Sequence, residues 1–224
     1  EPNCRSASSP SSGAAPAARA VADGALQTVS GARIGNELRL ALGEPDPVAA
    51  LQSAVALGLA PWLAPERELT ERALALLPAS EGRRDLLVLA AAWAAPDEGL
   101  LADLQFGSAE RAIVRACLQA PPLDDAPRRP SELARLLRGL PVEAVALAGA
   151  RGAEAPARQW IDELRHVRLQ ITGDDLVVAG LAPGPQLGRR LQAVLDRRLD
   201  GALGAGREAE LQAALEPPAP TGTP

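Results

Sequence analysis

What most constrains this chain is that its Ala- and Leu-rich stretches, spaced as helices, are repeatedly cut by proline and glycine. Leu38 and Leu42 in one segment, and Leu51 and Val55 in the next, recur at the interval that keeps side chains on one helical face. Ser30 stands where a cap of the first segment is expected. Asp46 and Pro47 can cap and open the second, because proline lacks only an N–H that the first turn leaves unpaired anyway. The pattern continues through Leu69–Leu77, Arg84–Trp93 and Ala109–Gln119, with Pro78, Pro96 and Pro121-Pro122 as stops. The prediction is an all-α fold, an elongated multi-helix array. Aromatic residues are 2% of the chain, too few for a typical sandwich or barrel, and 47% hydrophobic content over 224 residues supplies one or two real cores.

Pro121–Pro130, rich in proline and charge, marks an internal loop. Beyond it, Ser131-Glu132-Leu133 starts a short helix and Pro141 another, with Val142, Val145 and Ala146 inward. Glu154–Val167 places Trp160, Ile161, Leu164 and Val167 on one face and Arg158 and Arg165 on another. The expected division is a Ser/Ala/Pro-rich linker over 1–17, a helical part over 18–120, the loop over 121–130, a second helical part over 131–215 and a disordered end over 216–224.

The stretch Leu169-Gln170-Ile171-Thr172-Gly173-Asp174-Asp175-Leu176 ends an apolar run and begins a short acidic-led helical turn. Gly180-Leu181-Ala182-Pro183-Gly184-Pro185-Gln186-Leu187-Gly188 then reverses the chain and opens a new helix. Pro185 suits its first position, and Gly184 and Gly188 leave its start bare, so that another backbone can approach. Exposed N–H groups and the positive dipole end make such a start a natural phosphate seat. In that helix Leu187, Leu191, Val194 and Leu195 fall on the core side, and Gln186, Arg190 and Arg197 form an adjacent stripe. By spacing alone the stripe reads either as a phosphate track or as a solvated face.

The formal net charge of −5 argues against an indiscriminate nucleic-acid coat, although 151–200 is nearly neutral. All 23 basic residues are Arg, a bias that GC-rich codon usage produces unaided. Cys4 and Cys117 lie far apart, and His166 is the one histidine, so no metal-ligand spacing or disulfide framework emerges; a reducing cytoplasm fits best. Leu86–Ala95 is too short to span a bilayer, and Glu1–Ala17 lacks the pattern of a signal peptide. Trp62, Trp93 and Trp160 read as core packing, His166 as exposed, and Ser108, Ser131 and Thr172 as caps or turn residues.

Two matches point to a family. Leu169–Leu176 and Gly180–Gly188, with the Trp160 helix before them and Gln186–Asp200 after them, resemble the C-terminal tail of bacterial class II tRNA nucleotidyltransferases. These are the CCA-adding enzymes, whose relatives are bacterial poly(A) polymerases. Thr28-Val29-Ser30-Gly31-Ala32-Arg33-Ile34-Gly35-Asn36-Glu37-Leu38, continuing through Asp46-Pro47 and Leu57-Gly58-Leu59, resembles the family's neck helix. The resemblance implies a neck, body and tail that hold tRNA near its elbow. The RNA-binding residues it implies are Gly184, Pro185, Gly188, Arg189, Arg190 and Arg197. It also implies that Arg33 and Glu37 brace the neck; read from spacing alone, they form an ordinary ion pair four residues apart.

The family's head, with its Gly-Ser turn, metal-binding Asp-x-Asp and Arg-rich recognition helix, has no counterpart in the sequence. Asp124-Asp125 and Asp174-Asp175 are adjacent pairs, and neighbours in an extended strand point to opposite faces. No catalytic or metal residue is therefore assigned. Mg²⁺ with CTP or ATP would belong to a separate or missing nucleotidyltransferase head, and the chain, which contains no Met, reads as part of a longer enzyme. The alternatives are a fragment of a poly(A) polymerase-type RNA-tailing enzyme and a non-catalytic, protein-binding helical adaptor.

Overall fold

The computed structural model describes residues 30–94, 97–204 and 206–216. Among these the helices in chain order are α1 Gly31–Leu42, α2 Pro47–Ala56, α3 Arg67–Leu76, α4 Arg84–Ala92, α5 Glu98–Asp103 and α6 Ser108–Gln119. They continue as α7 Pro130–Leu136, α8 Val142–Arg151, α9 Glu154–Asp162, α10 Gly173–Val178, α11 Pro185–Leu199 and α12 Arg207–Leu215. A 3₁₀ turn, Leu164–His166, follows α9. The fold is all-α: extended pairing among the described residues is one isolated bridge between Leu63 and Trp93.

Local chemistry explains most boundaries. Asp46 Oδ1 accepts from the Ala49 N–H at 3.0 Å, with Pro47 in the first helical position of α2. At α10 the Thr172 hydroxyl accepts from the Asp175 N–H while the Asp175 carboxylate accepts from the Thr172 N–H, a reciprocal cap. Ser30 occupies the N-cap position of α1 without a side-chain bond. The expected helix over Glu154–Val167 breaks at Glu163 and tightens into the 3₁₀ turn. Short α5 escapes periodicity analysis; it is started by Asp97, whose Oδ1 accepts from the N–H groups of Gly99 and Leu100.

Two helices that are apolar almost all round form the centre. Every residue of α4 from Leu86 to Ala92, and of α8 from Glu143 to Ala150, is buried. Helices α3, α6 and α9 pack on α8, and α4 packs against α3 and α6. Glu143 is buried at the start of α8, where its Oε1 accepts from the Arg83 N–H at 2.6 Å, just ahead of α4. Trp93 and Trp160 are buried and Trp62 is half-buried against the same core, in keeping with packing roles.

This main core runs from Leu38 to Leu199, on both sides of the loop between α6 and α7. A second, smaller core gathers Ile171, Leu176, Val194 and Ala214, with Leu187 and Leu191 packed on it. Helix α11 belongs to both: Leu195 and Leu199 face the main core, and Val194 the small one. The expected linker over 1–17 lies outside the described residues, as does the expected disordered end apart from Glu216.

The first helix is held by backbone proximity. A Cβ on Gly31 or Gly35 would collide with the carbonyl groups of Asp103 and Leu104, so α1 lies directly on the end of α5. Gln105 follows with φ 60°, a left-handed turn that aims its carbonyl at Arg39, whose Nη2 donates to it at 2.7 Å. The Arg39 guanidinium also sits 4.3 Å from the centroid of the Phe106 ring.

Candidate nucleic-acid interface

The reversal before α11 is built by two glycines. Gly180, with φ 97°, ends α10: its N–H donates to the Val177 carbonyl at 2.9 Å, and the Leu181 N–H to that of Leu176 at 3.0 Å. Gly184 precedes α11 with φ 155° and Pro185 enters the helix behind it. No side chain caps this start. A Cβ placed on Gly184 or Gly188 meets no atom within 4 Å, and Gly184, Pro185, Gly188 and Arg189 are exposed. The helix therefore presents a start without a side-chain cap, carrying the positive end of its dipole; Pro185 has no N–H, and the Leu187 N–H donates to the Gly184 carbonyl at 3.0 Å.

The three arginines assigned to this face take different positions. Arg189 is exposed, and its guanidinium makes no hydrogen bond or ion pair among the described residues. Arg190 is half-buried, and its Nη1 donates to the carbonyl oxygens of Ala214 at 2.6 Å and Glu216 at 2.7 Å, closing the C-terminal end of α12. Arg197 lies 2.8 Å from the Glu216 carboxylate. Arg198, which sequence analysis did not single out, has its Nε 3.5 Å from Oε1 of Glu210, a fully buried carboxylate whose Oε2 accepts from the Gln170 N–H at 2.6 Å. In this arrangement Arg190 fastens the end of α12 to α11, Arg197 pairs with Glu216 just beyond it and Arg198 faces Glu210 without a hydrogen bond between Nε and Oε1, while the exposed donors are the helix start and Arg189. Helix α12 itself was not singled out in the sequence, so its demand for these side chains was invisible there.

At the other end of the chain, Arg33 and Glu37 are both exposed on α1, and the described residues give them no ion pair, so the expected pairing is not made. His166 is exposed, with Nε2 3.2 Å from the Ile161 carbonyl oxygen. Burial, reinforced by the charge of Glu143, pushes the Cys117 thiol up to about 12, which makes it an inert core residue. Cys4 lies outside the described residues.

One carboxylate of each acidic pair is engaged. Asp124 is bonded to Arg128, and Asp175 both caps α10 and pairs with Arg207 at 2.6 Å. No group of three or more His, Cys, Asp or Glu side chains among the described residues is arranged to hold a metal ion. No described helix is long and apolar enough to cross a membrane.

Comparison with known proteins gives the same relationship as the sequence motifs. No family model matches the chain. Across 88% of its length the chain is 29% identical to an A-adding tRNA nucleotidyltransferase of Geobacter sulfurreducens, 26% of which is covered. Its fold is similar to that of a CCA-adding enzyme in an apo form, with a TM-score of 0.67 and 18% identity over 88% of this chain and 52% of the other. A CCA-adding enzyme in complex with ATP gives a TM-score of 0.66 at 19% identity, and one with CTP gives 0.65 at 19%. The chain thus spans about a quarter of the curated relative and about half of these solved chains. The resemblance to tRNA nucleotidyltransferases and the all-α fold both stand.

Proposed function

We propose that this chain is the RNA-binding neck, body and tail of a tRNA nucleotidyltransferase-like protein, and that it acts by holding folded tRNA for 3′-end CCA addition carried out by a catalytic head. The observation that carries the proposal is the bare start of α11 in a chain with this relationship: Gly184 and Gly188 keep it open, no side chain caps it, and Arg189 stands beside it without a partner among the described residues. Phosphate oxygens are the acceptors that uncapped N–H groups and a free guanidinium fit, and such contacts read backbone shape more than base identity. The role is positional. Fixing one end of a folded RNA lowers the entropic cost of bringing the other end to a reactive site. Nucleotide and Mg²⁺ would be held by the head, and the working compartment of this reading is the cytoplasm.

Within it, residues 18–120 form the neck and body and residues 131–215 the body and tail, joined by the loop over 121–130. The test is a hydroxyl-radical footprint of tRNA on addition of the purified chain. Protection confined to backbone at the tRNA elbow is the expected result. Cleavage unchanged at saturating protein would overturn the proposal.

One observation favours a second reading, a protein-binding adaptor. An apolar groove of about 270 Å³ lies between α1 and α2, with Ile34, Leu38, Ala54 and Trp62 in its walls. In that reading the footprint is blank and the groove, not α11, is the binding surface. A poly(A) polymerase-type tailing enzyme differs from the first reading only in what its head adds, and the nucleotides incorporated by the complete enzyme separate the two.

A further inference from the structure

A cleft of about 540 Å³ opens between the turn joining α7 to α8 and the segment that follows α9. Its charged lining is one-sided: Arg138 from the turn, and Arg165, His166 and Arg168 from the segment, face a single carboxylate, Glu81. That carboxylate is already bound, 2.7 Å from Arg165 Nη1, while Arg165 Nε donates to the Ile161 carbonyl at 2.6 Å. Arg165 is thereby locked as part of the wall. Arg138 is exposed, and its guanidinium makes no hydrogen bond or ion pair among the described residues. Arg168, also exposed, is oriented by donating through Nη1 to the carbonyls of Arg165 and Val167, which leaves its Nε and Nη2 without a bond among the described residues. The Nε2 of His166 lies 3.2 Å from the Ile161 carbonyl oxygen, an acceptor, so in the neutral ring Nε2 carries the proton and Nδ1 is an acceptor. In a chain whose net charge is −5, this is a local concentration of positive charge, three guanidinium groups against one carboxylate.

We propose that the cleft walled by Arg138, Arg165, His166 and Arg168 seats backbone phosphates of an RNA strand, a second anchorage besides the start of α11; this rests on the reading of the chain as an RNA binder. The floor decides between kinds of phosphate ligand. It includes Leu164, Leu195 and Trp160, and Trp160 is only 8% exposed, too buried to serve as a stacking platform for a base. Base edges find His166 as their one uncharged polar partner, whereas phosphate oxygens find the guanidinium groups. The chemistry is that of a phosphodiester clamp that reads no sequence.

The test uses the full chain, the Arg138→Gln/Arg168→Gln double variant, a folded tRNA, a size-matched single-stranded RNA and inorganic pyrophosphate, with affinity followed as a function of salt. Arg168→Gln also gives up the two bonds to the carbonyls of Arg165 and Val167, so the Arg138→Gln single variant, which is exposed and loses no side-chain bond, serves as the folding control: its thermal midpoint should stay in place while its tRNA affinity falls. The proposal expects tRNA affinity to fall about tenfold or more, and the slope of log affinity against log salt to become shallower by about 1 to 2, because each lost phosphate contact removes a released counterion. A wild-type chain that binds tRNA beside a double variant with the same affinity and slope would overturn the cleft assignment and leave the RNA reading intact. Saturable pyrophosphate binding that tRNA fails to displace would make it a free-phosphate site and overturn the strand assignment. A wild-type chain that ignores both RNAs overturns the RNA reading and this proposal with it.

Discussion

Arg190 on α11 donates through Nη1 to the carbonyl oxygen of Ala214 on α12 at 2.6 Å, so a side chain that looks like a nucleic-acid contact in sequence is the C-terminal cap of the next helix. The last carbonyls of a helix lack intrahelical partners, and a cation there is also favoured by the helix dipole. Arg190→Ala should therefore lower stability by about 1–2 kcal/mol in chemical denaturation. Arg189→Ala should leave stability within about 0.5 kcal/mol and weaken RNA binding instead. Equal shifts of the unfolding midpoint in the two variants would refute this division of roles.

Two glycines make opposite predictions. A methyl group on Gly35 would enter the Leu104 carbonyl, and the backbone of α5 cannot yield as a flexible side chain does. Gly35→Ala should cost about 2–3 kcal/mol by overpacking. Gly188 is in the first turns of α11 with open space where a Cβ would go, so Gly188→Ala should stabilise the fold by about 0.5–1 kcal/mol through helix propensity. If the α11 start meets a phosphate backbone, the same added methyl reduces tRNA affinity. Paired melting and binding curves show whether stability and affinity move in opposite directions.

Glu210 is fully buried among α10, α11 and α12, held by the Gln170 N–H and facing Arg198. Removing one partner of a buried charged pair leaves the other uncompensated, and Glu210→Ala should cost about 3 kcal/mol. The loss should appear first in the small core. Hydrogen exchange would show amides of α12 deprotecting well before those of α4 and α8; uniform deprotection would contradict the existence of two separately stabilised cores.

Acid titration offers an independent handle on the same region. The Arg207 guanidinium, with the Thr172 N–H and hydroxyl, holds the Asp175 carboxyl down at about 2, below its ordinary value of 3.8. A carboxylate depressed on folding adds stability that is fully present above the unfolded value of 3.8 and disappears as pH falls through about 2. The link between α10 and α12 should thus survive at pH 3. An NMR titration of the Asp175 carboxyl carbon should place its midpoint near 2, and a midpoint at the ordinary value would show that the Arg207 contact does not form in solution.

Those features that depend on near neighbours were legible in the sequence. Asp46-Pro47 and Thr172 announce helix starts because their bonds close within three residues. Leu187 and Val194 announce the buried face of α11 because helical spacing alone puts them there. Distant partners were not legible. Glu143 and Glu210 look like surface charges until the N–H groups of Arg83 and Gln170, far away in sequence, are brought to them. Arg190 shows the same limit, since its acceptors belong to a helix with few sequence signals. The cleft side chains Arg138 and Arg168 lie on different segments that no periodicity connects.

The most direct test of the central claim is the salt dependence of tRNA binding by the purified chain, set beside Arg189→Ala and a size-matched single-stranded RNA. The account predicts that tRNA binds more tightly than the unstructured RNA, that its affinity falls linearly on logarithmic axes as salt rises, and that Arg189→Ala reduces the slope by about 1. Absence of tRNA binding at low salt, or equal affinity for both RNAs unaltered by the substitution, would contradict it.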